Sequence, residues 1–230
     1  MIPLLVLLGM ALGAVLGAFN GLIIAVGNVP PIIATLGTVS VYRGLVFYFS
    51  QGNYINAFEM PVGFKQLAKG TPFGVPNLIL IAIFVAILVY YFLNYTRAGR
   101  DIYAVGGNQE AARLSGVNVA RVKLLVYAIS GALSGLAGVL LIFRLHGGIS
   151  TNGDMYEMDA IAACVIGGTS LSGGVGTVGG TLIGILIMGC VRTGLTLLNV
   201  SANWQRVIIG LIILAAVGMD LIRRRMRSEA

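Results

Sequence analysis

Charged residues are scarce in this sequence, and their scarcity limits what the protein can be. Only 10% of the 230 residues are Asp, Glu, Lys or Arg, whereas 57% are hydrophobic. A soluble domain carries about a quarter charged residues, so this chain has too few to cover a surface that faces water. The composition excludes an ordinary soluble domain and indicates a protein that lies in a membrane.

Histidine and cysteine are nearly absent, which leaves little material for metal or redox chemistry. The chain has one histidine, His146, and two cysteines, Cys164 and Cys190, which both lie within apolar segments. Their spacing fits no metal-binding motif, and a free buried cysteine usually behaves as a small hydrophobic residue. We therefore expect no metal ion, redox group or other cofactor.

Catalytic motifs are missing too. The sequence has no G-x-x-x-x-G-K-[ST] phosphate loop, so we do not expect the chain to hydrolyse ATP itself. It also lacks the G-x-S-x-G motif of serine hydrolases, because Ser172 occupies the position of the last glycine in GTSLS. The predicted topology separates His146 from Ser170 and Ser172 by most of the membrane core, about 30 Å, which prevents a Ser–His pair. We predict that the protein is not an enzyme.

Long apolar runs, in contrast, are abundant. Six of them are long enough to cross the hydrocarbon core as helices of about 20 residues, and another, at 157–171, is shorter. The sequence therefore predicts an all-α, polytopic membrane protein whose single domain, residues 1–230, has about six full transmembrane helices and one short or re-entrant helix. The long runs lie at 3–25, 31–50, 77–95, 124–144, 177–198 and 204–222.

Basic residues beside these runs predict the orientation in the membrane. Lys and Arg accumulate in cytoplasmic segments of membrane proteins, so two basic clusters mark the inner side and do not indicate nucleic-acid binding. If the short run also crosses, the N-terminus lies outside, the C-terminus lies in the cytoplasm, and the outer loops hold only Lys65 and Lys69. The clusters are Arg97, Arg100, Arg113, Arg121 and Lys123, and Arg223, Arg224, Arg225 and Arg227.

Glycine recurs at every fourth position along the first run. Stripes of small residues let membrane helices approach backbone to backbone, so we interpret this stripe as a packing face. The glycine pairs at 131 and 135 and at 180 and 184 repeat the spacing. The stripe consists of Gly9, Gly13, Gly17 and Gly21.

A different glycine pattern, SGGVGTVGG at 172–180, contains G-x-G-x-x-G, which in soluble enzymes marks a dinucleotide site. Such a site needs a preceding strand, a soluble helix and an acidic residue about 20 positions later. Here residues 196–200 read TLLNV, and a membrane span follows the glycines. We therefore interpret the pattern as an irregular turn on the inner side, where glycine permits positive φ and close backbone approach.

The polar segment GGNQEAARLSGVNVARVK, residues 106–123, predicts ordered structure on the cytoplasmic face. Asn108 can cap a short helix, Glu110 lies in the first turn, where the helix dipole favours a negative charge, and Gly116 can end the helix. Asn118 can cap the span that follows. A compact helix between two spans offers a surface on which a partner protein can act.

Three segments resemble permease subunits of bacterial ABC importers for monosaccharides, the ribose type. They are GGNQEAARLSGVNVARVK, YEMDAIAACVIGGTSLSGGVGTVGGTLIG and GLTLLNV, and the resemblance covers roughly residues 90–222. It implies a multi-pass subunit of the bacterial inner membrane that translocates a monosaccharide such as ribose. It also implies an ATP-binding subunit, a periplasmic or lipid-anchored sugar-binding protein, and a second permease copy as partners. Since the family usually has a longer N-terminal part, we expect this chain to be truncated there.

The resemblance further implies which residues couple the chain to the ATPase. It identifies 96–123 as a cytoplasmic coupling loop, in which 106–123 makes the contact. Leu114 offers an apolar knob, and Glu110 and Arg113 supply charges that orient the short helix. The expected coupling residues are Asn108, Glu110, Arg113, Leu114 and Gly116.

By the same resemblance, 156–184 is a broken-helix region near the translocation path. Tyr156 offers a stacking face to a sugar ring, and acidic residues beside it offer acceptors to the sugar hydroxyls. The candidates for the path are Tyr156, Glu157, Asp159, Thr169, Ser170 and Arg192.

Arg192 is an ionisable residue inside a span, which is by default a functional hypothesis. It shares a small, polar face with Gly189, Thr193 and Thr196, so we expect it to face the bundle or a dimer interface, with Glu157 or Asp159 as its partner. The alternative is that its side chain extends to the membrane surface.

Two further alternatives stay open. The acidic residues Asp154, Glu157 and Asp159 can form a solvated loop that caps the short helix. At the level of function, the alternative is a secondary transporter or channel for a small polar solute, in which the segment at 106–123 would have no obvious task.

Overall fold

The computed structural model describes residues 2–55, 70, 74–145 and 147–228, with side chains described only within 3–218. Extended backbone pairs at one place in this part of the chain, an isolated antiparallel bridge between Ile55 and Gly148. Three residues that the sequence singled out lie outside the described part, as do the side chains of the basic cluster at 223–227. The three are Lys65, Lys69 and His146.

Most of the described chain is helical, which confirms the predicted all-α class. Five of them, α1, α2, α3, α6 and α8, are long and apolar enough to cross a membrane, by length and composition. Their positions agree with the first five predicted spans. The helices are α1 (Ile2–Val26), α2 (Pro31–Ser50), α3 (Asn77–Tyr95), α4 (Arg97–Gly107), α5 (Gln109–Leu114), α6 (Val119–Leu145), α7 (Tyr156–Ile166), α8 (Val178–Leu197) and α9 (Ala202–Ser228).

The sixth predicted span corresponds to α9, which runs from Ala202 to Ser228. Within the residues whose side chains are described, its apolar segment is Ala202–Gly218. The described chain therefore forms a polytopic membrane protein with five candidate spans and a further apolar segment in α9.

The short apolar run forms α7 and then leaves the helical conformation. Eleven residues at 1.5 Å each give α7 a length of about 16 Å, roughly half of the hydrocarbon core. The helix stops five residues before the end of the predicted run because Gly168 has a φ of 86°, which a continuing helix does not permit. The short or re-entrant helix is thus a half-length helix followed by a turn at 167–177.

The contacts divide the chain into two compact units. One consists of residues 1–88 and 112–153, and its centre is the pairing of α1 with α6. The other consists of residues 89–111 and 154–230, in which α7 packs against α8 and α9. Its buried core contains Ala162, Ala163, Met188 and Ile209.

The glycine stripe of α1 is the face that packs against α6, as its spacing predicted. A Cβ atom at Gly13 would overlap the carbonyl oxygen of Gly131, and one at Gly17 would overlap that of Tyr127. Reciprocally, a Cβ atom at Gly135 would overlap the carbonyl oxygen of Gly9. The two helices therefore run antiparallel with their backbones in contact, an approach that only glycine permits.

We predict that Gly131→Ala destabilises the α1–α6 pair, whereas Gly138→Ala on the same helix does not. The new methyl group at 131 would overlap the Gly13 carbonyl and lie 2.9 Å from the Cα of Gly17, but at 138 it would meet nothing within 4 Å. Overpacking of this kind costs about 1–3 kcal/mol. Thermal unfolding of the two purified variants in detergent measures the difference, and equal melting temperatures would contradict the packing described.

Candidate functional site

Helices α7 and α8 form an antiparallel pair whose contacts repeat every four residues. A Cβ atom at Gly180 would overlap the carbonyl oxygen of Gly167, and one at Gly184 would overlap that of Ala163. One turn further along α8, Met188 is buried in the core that α7 also lines. The next position in this series is 192, so the packing ridge of α8 ends in an arginine.

Arg192 forms an ion pair with Asp159 in the first turn of α7. Its guanidinium Nη2 lies 2.5 Å from the carboxylate Oδ2, and its Cζ lies 5.7 Å from the centre of the Tyr156 ring. The side chains of Arg192 and Asp159 are 44% and 22% exposed in the isolated chain. A cation, an anion and an aromatic face thus meet at one end of the α7–α8 pair and stay accessible.

The first turn of α7 gathers negative charge where the helix dipole favours it. Glu157 and Asp159 both lie there. The helix begins at Tyr156, and the residue before it, Met155, occupies the N-cap position with a left-handed φ of 68° and makes no capping hydrogen bond with its own side chain. The alternative in which Asp154, Glu157 and Asp159 form a solvated loop at the start of this helix stays a prediction.

The structure separates the predicted path residues into two groups. Tyr156, Asp159 and Arg192 come together, whereas Thr169 and Ser170 follow the opposite end of α7, whose last residue, Ile166, lies about 10 Å along the helix from Asp159. Thr169 contacts the backbone of Gly176, and the buried Ser170 exchanges backbone hydrogen bonds with Gly173 and Val175. These two residues hold the turn that follows α7.

Arg192 lies between two faces of α8. One is the packing ridge of Gly180, Gly184 and Met188, which faces α7. The other is the predicted stripe of Gly189, Thr193 and Thr196, where both threonines are exposed and a Cβ atom at Gly189 would meet nothing within 4 Å. That this stripe faces the bundle or a dimer interface stays a prediction.

The polar segment after α4 folds locally as its cap residues predicted. The Oδ1 atom of Asn108 accepts hydrogen bonds from the backbone N–H groups of Glu110 and Ala111, each at 3.0 Å. Gly116 ends α5 with a φ of 85°, and Asn118 accepts from the N–H of Arg121 at 3.0 Å. Both predicted caps and the glycine stop are confirmed.

Helix α5 presents most of its residues to solvent. Ala112 is buried, whereas the side chain of Leu114 is 81% exposed. The five expected coupling residues Asn108, Glu110, Arg113, Leu114 and Gly116 are all exposed, and their role in coupling stays a prediction.

The pattern SGGVGTVGG forms a turn, as interpreted from the sequence. Gly173 and Gly174 have φ values of 91° and 74°, and Thr177 caps α8 by accepting from the N–H of Gly180 at 3.0 Å. Tyr103 of α4, which no sequence pattern singled out, donates its hydroxyl hydrogen to the carbonyl oxygen of Gly176 at 3.0 Å. Within the described residues, no three His, Cys, Asp or Glu side chains come together as metal ligands would.

Known proteins similar to this chain are transport permeases. It is 46% identical over 201 residues to the ribose import permease protein RbsC of Bacillus subtilis, which covers 87% of this chain and 62% of that protein. RbsC of Escherichia coli K12 is 45% identical over 213 residues, covering 92% and 66%. The galactose/methyl galactoside import permease protein MglC of E. coli K12 is 42% identical over 229 residues, covering 96% and 68%.

These relatives are longer than this chain, which spans 62% and 66% of the length of the two ribose permeases. No solved structure matches the chain. A family model described as branched-chain amino acid transport system / permease component matches residues 1–217. Because the match covers nearly the whole chain and the helices are long and apolar, the chain belongs to this family of membrane permease components.

Proposed function

We propose that the protein is the membrane-spanning permease subunit of an ATP-binding-cassette importer that translocates a monosaccharide such as ribose. The observation that carries this proposal is the similarity to ribose and galactose/methyl galactoside import permeases, at 42–46% identity over 87–96% of the chain. Because the sequence has no phosphate loop, the ATP that drives transport is hydrolysed by a separate partner subunit.

The end of the α7–α8 pair has the chemistry of a sugar site. Sugar hydroxyls both donate and accept hydrogen bonds, and Arg192 supplies donors while Asp159 and Glu157 supply acceptors. The ring of Tyr156 offers an apolar face to the C–H groups of a sugar ring. We assign Thr169 and Ser170 to the inner end of the same path, where they support the turn.

The ion pair argues against the alternative in which Arg192 extends to the membrane surface. Side chains on a helix lean toward its N-terminus, and Arg192 follows this direction toward Asp159 rather than toward the end of α8 at Leu197. An arginine that is paired with a carboxylate of the neighbouring helix has little reach left for lipid headgroups.

Helix α5 is the proposed contact with the ATP-binding subunit. Its exposed Leu114 suits an apolar pocket of the partner, and Glu110 and Arg113 on the same short helix suit a polar rim. The other partners of the proposed complex are a periplasmic or lipid-anchored sugar-binding protein and a second permease copy.

The proposed location is the bacterial inner membrane, with the C-terminus in the cytoplasm. Both basic clusters then lie on the inner side, as the distribution of Lys and Arg favours. The alternative of a secondary transporter or channel is less well supported, since the similar proteins are named import permeases and the exposed α5 suits a docked ATPase.

Uptake by cells that carry or lack the gene tests the function directly. We expect a deletion strain to lose uptake of one labelled monosaccharide and the restored gene to recover it, in a panel that contains ribose, galactose, leucine and valine. Loss of amino-acid uptake alone would favour the substrate in the family description. Uptake that persists when cellular ATP is depleted, but follows the membrane potential, would favour a secondary transporter.

We predict that Leu114→Asp abolishes co-purification of the ATP-binding subunit and lowers uptake by about tenfold or more, as expected when at least about 1.4 kcal/mol of binding is lost. The substitution places a charge where the 81% exposed apolar side chain would enter the partner. Leu114→Met keeps the apolar volume and serves as the matched control. Intact co-purification and uptake of the Asp variant would exclude this docking role.

We predict that Arg192→Leu lowers sugar uptake by about tenfold or more at normal membrane abundance, because it removes about 1.4 kcal/mol or more of substrate interactions. It also leaves Asp159 without the ion pair, so Arg192→Leu and Asp159→Asn should show a coupling of about 0.5–3 kcal/mol in a double-mutant cycle of thermal stability. Arg206→Leu, on the neighbouring helix α9, is the control. Unchanged uptake by Arg192→Leu would end the assignment to the path.

A further inference from the structure

Helix α4 and the glycine turn after α7 touch through their backbones. A Cβ atom at Gly106 would lie 2.6 Å from the amide nitrogen of Gly174, and one at Gly174 would lie 2.6 Å from the Cα of Gly107. On the same side, Gly173 faces the carbonyl oxygen of Gly106, which would lie 2.7 Å from an added Cβ. No side chain lies between the two segments at this contact.

Tyr103, one turn before Gly106 on α4, adds a directional bond to the same turn. Its hydroxyl donates to the carbonyl oxygen of Gly176 at 3.0 Å. The half-buried Tyr103 is separated from Gly176 by 73 positions in the sequence, so the bond ties two distant parts of the chain. Two kinds of contact thus fix α4 to the turn.

The turn at 167–177 is itself held to α7 and α8 by close contacts. The backbone of Gly167, at its beginning, contacts that of Gly180, and Thr177, at its end, caps α8. Backbone contacts of this kind cannot absorb a displacement by changing side-chain rotamers. A shift of the turn therefore has to be followed by α7 and α8, which carry Asp159 and Arg192.

On its other side, α4 leads into α5 without a flexible linker. Asn108 donates its backbone N–H to the carbonyl oxygen of Ala104 at the end of α4, and its side chain caps α5. We infer that Tyr103, Gly106 and the turn at 173–176 form a joint that transmits displacement of the cytoplasmic segment to the α7–α8 pair.

This inference rests on the proposed function, in which an ATPase displaces α5 and the α7–α8 pair borders the sugar path. The three residues are positioning residues, since none of them touches the sugar site. Their contribution is to the ratio of sugar transported to ATP hydrolysed. A folding defect lowers both quantities together, whereas a defective joint lowers transport alone.

Neighbouring glycines of α4 give a matched pair of variants. Gly106→Ala inserts a methyl group into the contact with Gly174, whereas at Gly107 an added Cβ meets nothing within 4 Å. Both positions are helical with ordinary φ, so the contact is the main difference between the two substitutions. Tyr103→Phe removes only the hydroxyl, and Tyr95→Phe, at an exposed tyrosine of α3, is its control.

The experiment uses the full chain, assembled with its ATP-binding and sugar-binding partners in membrane vesicles, and measures uptake and ATP hydrolysis on the same samples. We expect Gly106→Ala to lower the ratio of uptake to hydrolysis by about 2- to 30-fold, the range that changes in coupling span. Tyr103→Phe should lower it in the same direction, and Gly107→Ala and Tyr95→Phe should match the wild type.

If both Gly106→Ala and Tyr103→Phe leave the ratio of uptake to hydrolysis unchanged, the inference is wrong. If Gly106→Ala fails to accumulate, the ratio measured for Tyr103→Phe decides alone, and a wild-type value counts against the inference. Failure of the proposed function gives a different result, because the wild-type complex would then show no ATP-dependent uptake of any sugar in the panel.

Discussion

Close approach of helix backbones is the constraint on which this structure depends. Helices in lipid gain no hydrophobic free energy by associating, because lipid tails are as apolar as leucine side chains, so van der Waals packing has to hold them together. Gly13 against Gly131 and Gly184 against Ala163 bring the backbones into direct contact. A single methyl group on Gly13, Gly131 or Gly184 would separate the helices that meet there, so these positions do not tolerate substitution.

The same packing delivers a charged residue to a defined place. An arginine in the hydrocarbon core costs several kcal/mol unless it is paired or hydrated. The ridge that begins with Gly180 and Gly184 carries Arg192 to the first turn of α7, where the carboxylate of Asp159 supplies the opposite charge. Exposure of both side chains keeps the pair available to a polar solute. Packing of small residues thus determines where polar chemistry occurs.

Ordered polar segments at the ends of the helices connect the apolar scaffold to its surroundings. The caps at Asn108 and Asn118 make α5 a compact element rather than a loose linker. The backbone contact between Gly106 and Gly174 joins α4, which precedes α5, to the turn between α7 and α8. In an importer of the proposed kind, that arrangement links the place where ATP energy enters to the place where a sugar would bind.

The sequence by itself determined the local features of this protein. The apolar runs, the cap at Asn108, the stop at Gly116 and the four-residue glycine stripe of α1 each follow from short-range physics, namely helix length, hydrogen bonding of helix ends and steric access. Tertiary structure alone decided which face of α8 packs, that Asp159 forms an ion pair with Arg192, and that Tyr103 reaches Gly176. Those outcomes depend on partners that are 33 and 73 positions away, and no local pattern encodes which of several similar faces or carboxylates a distant helix will meet.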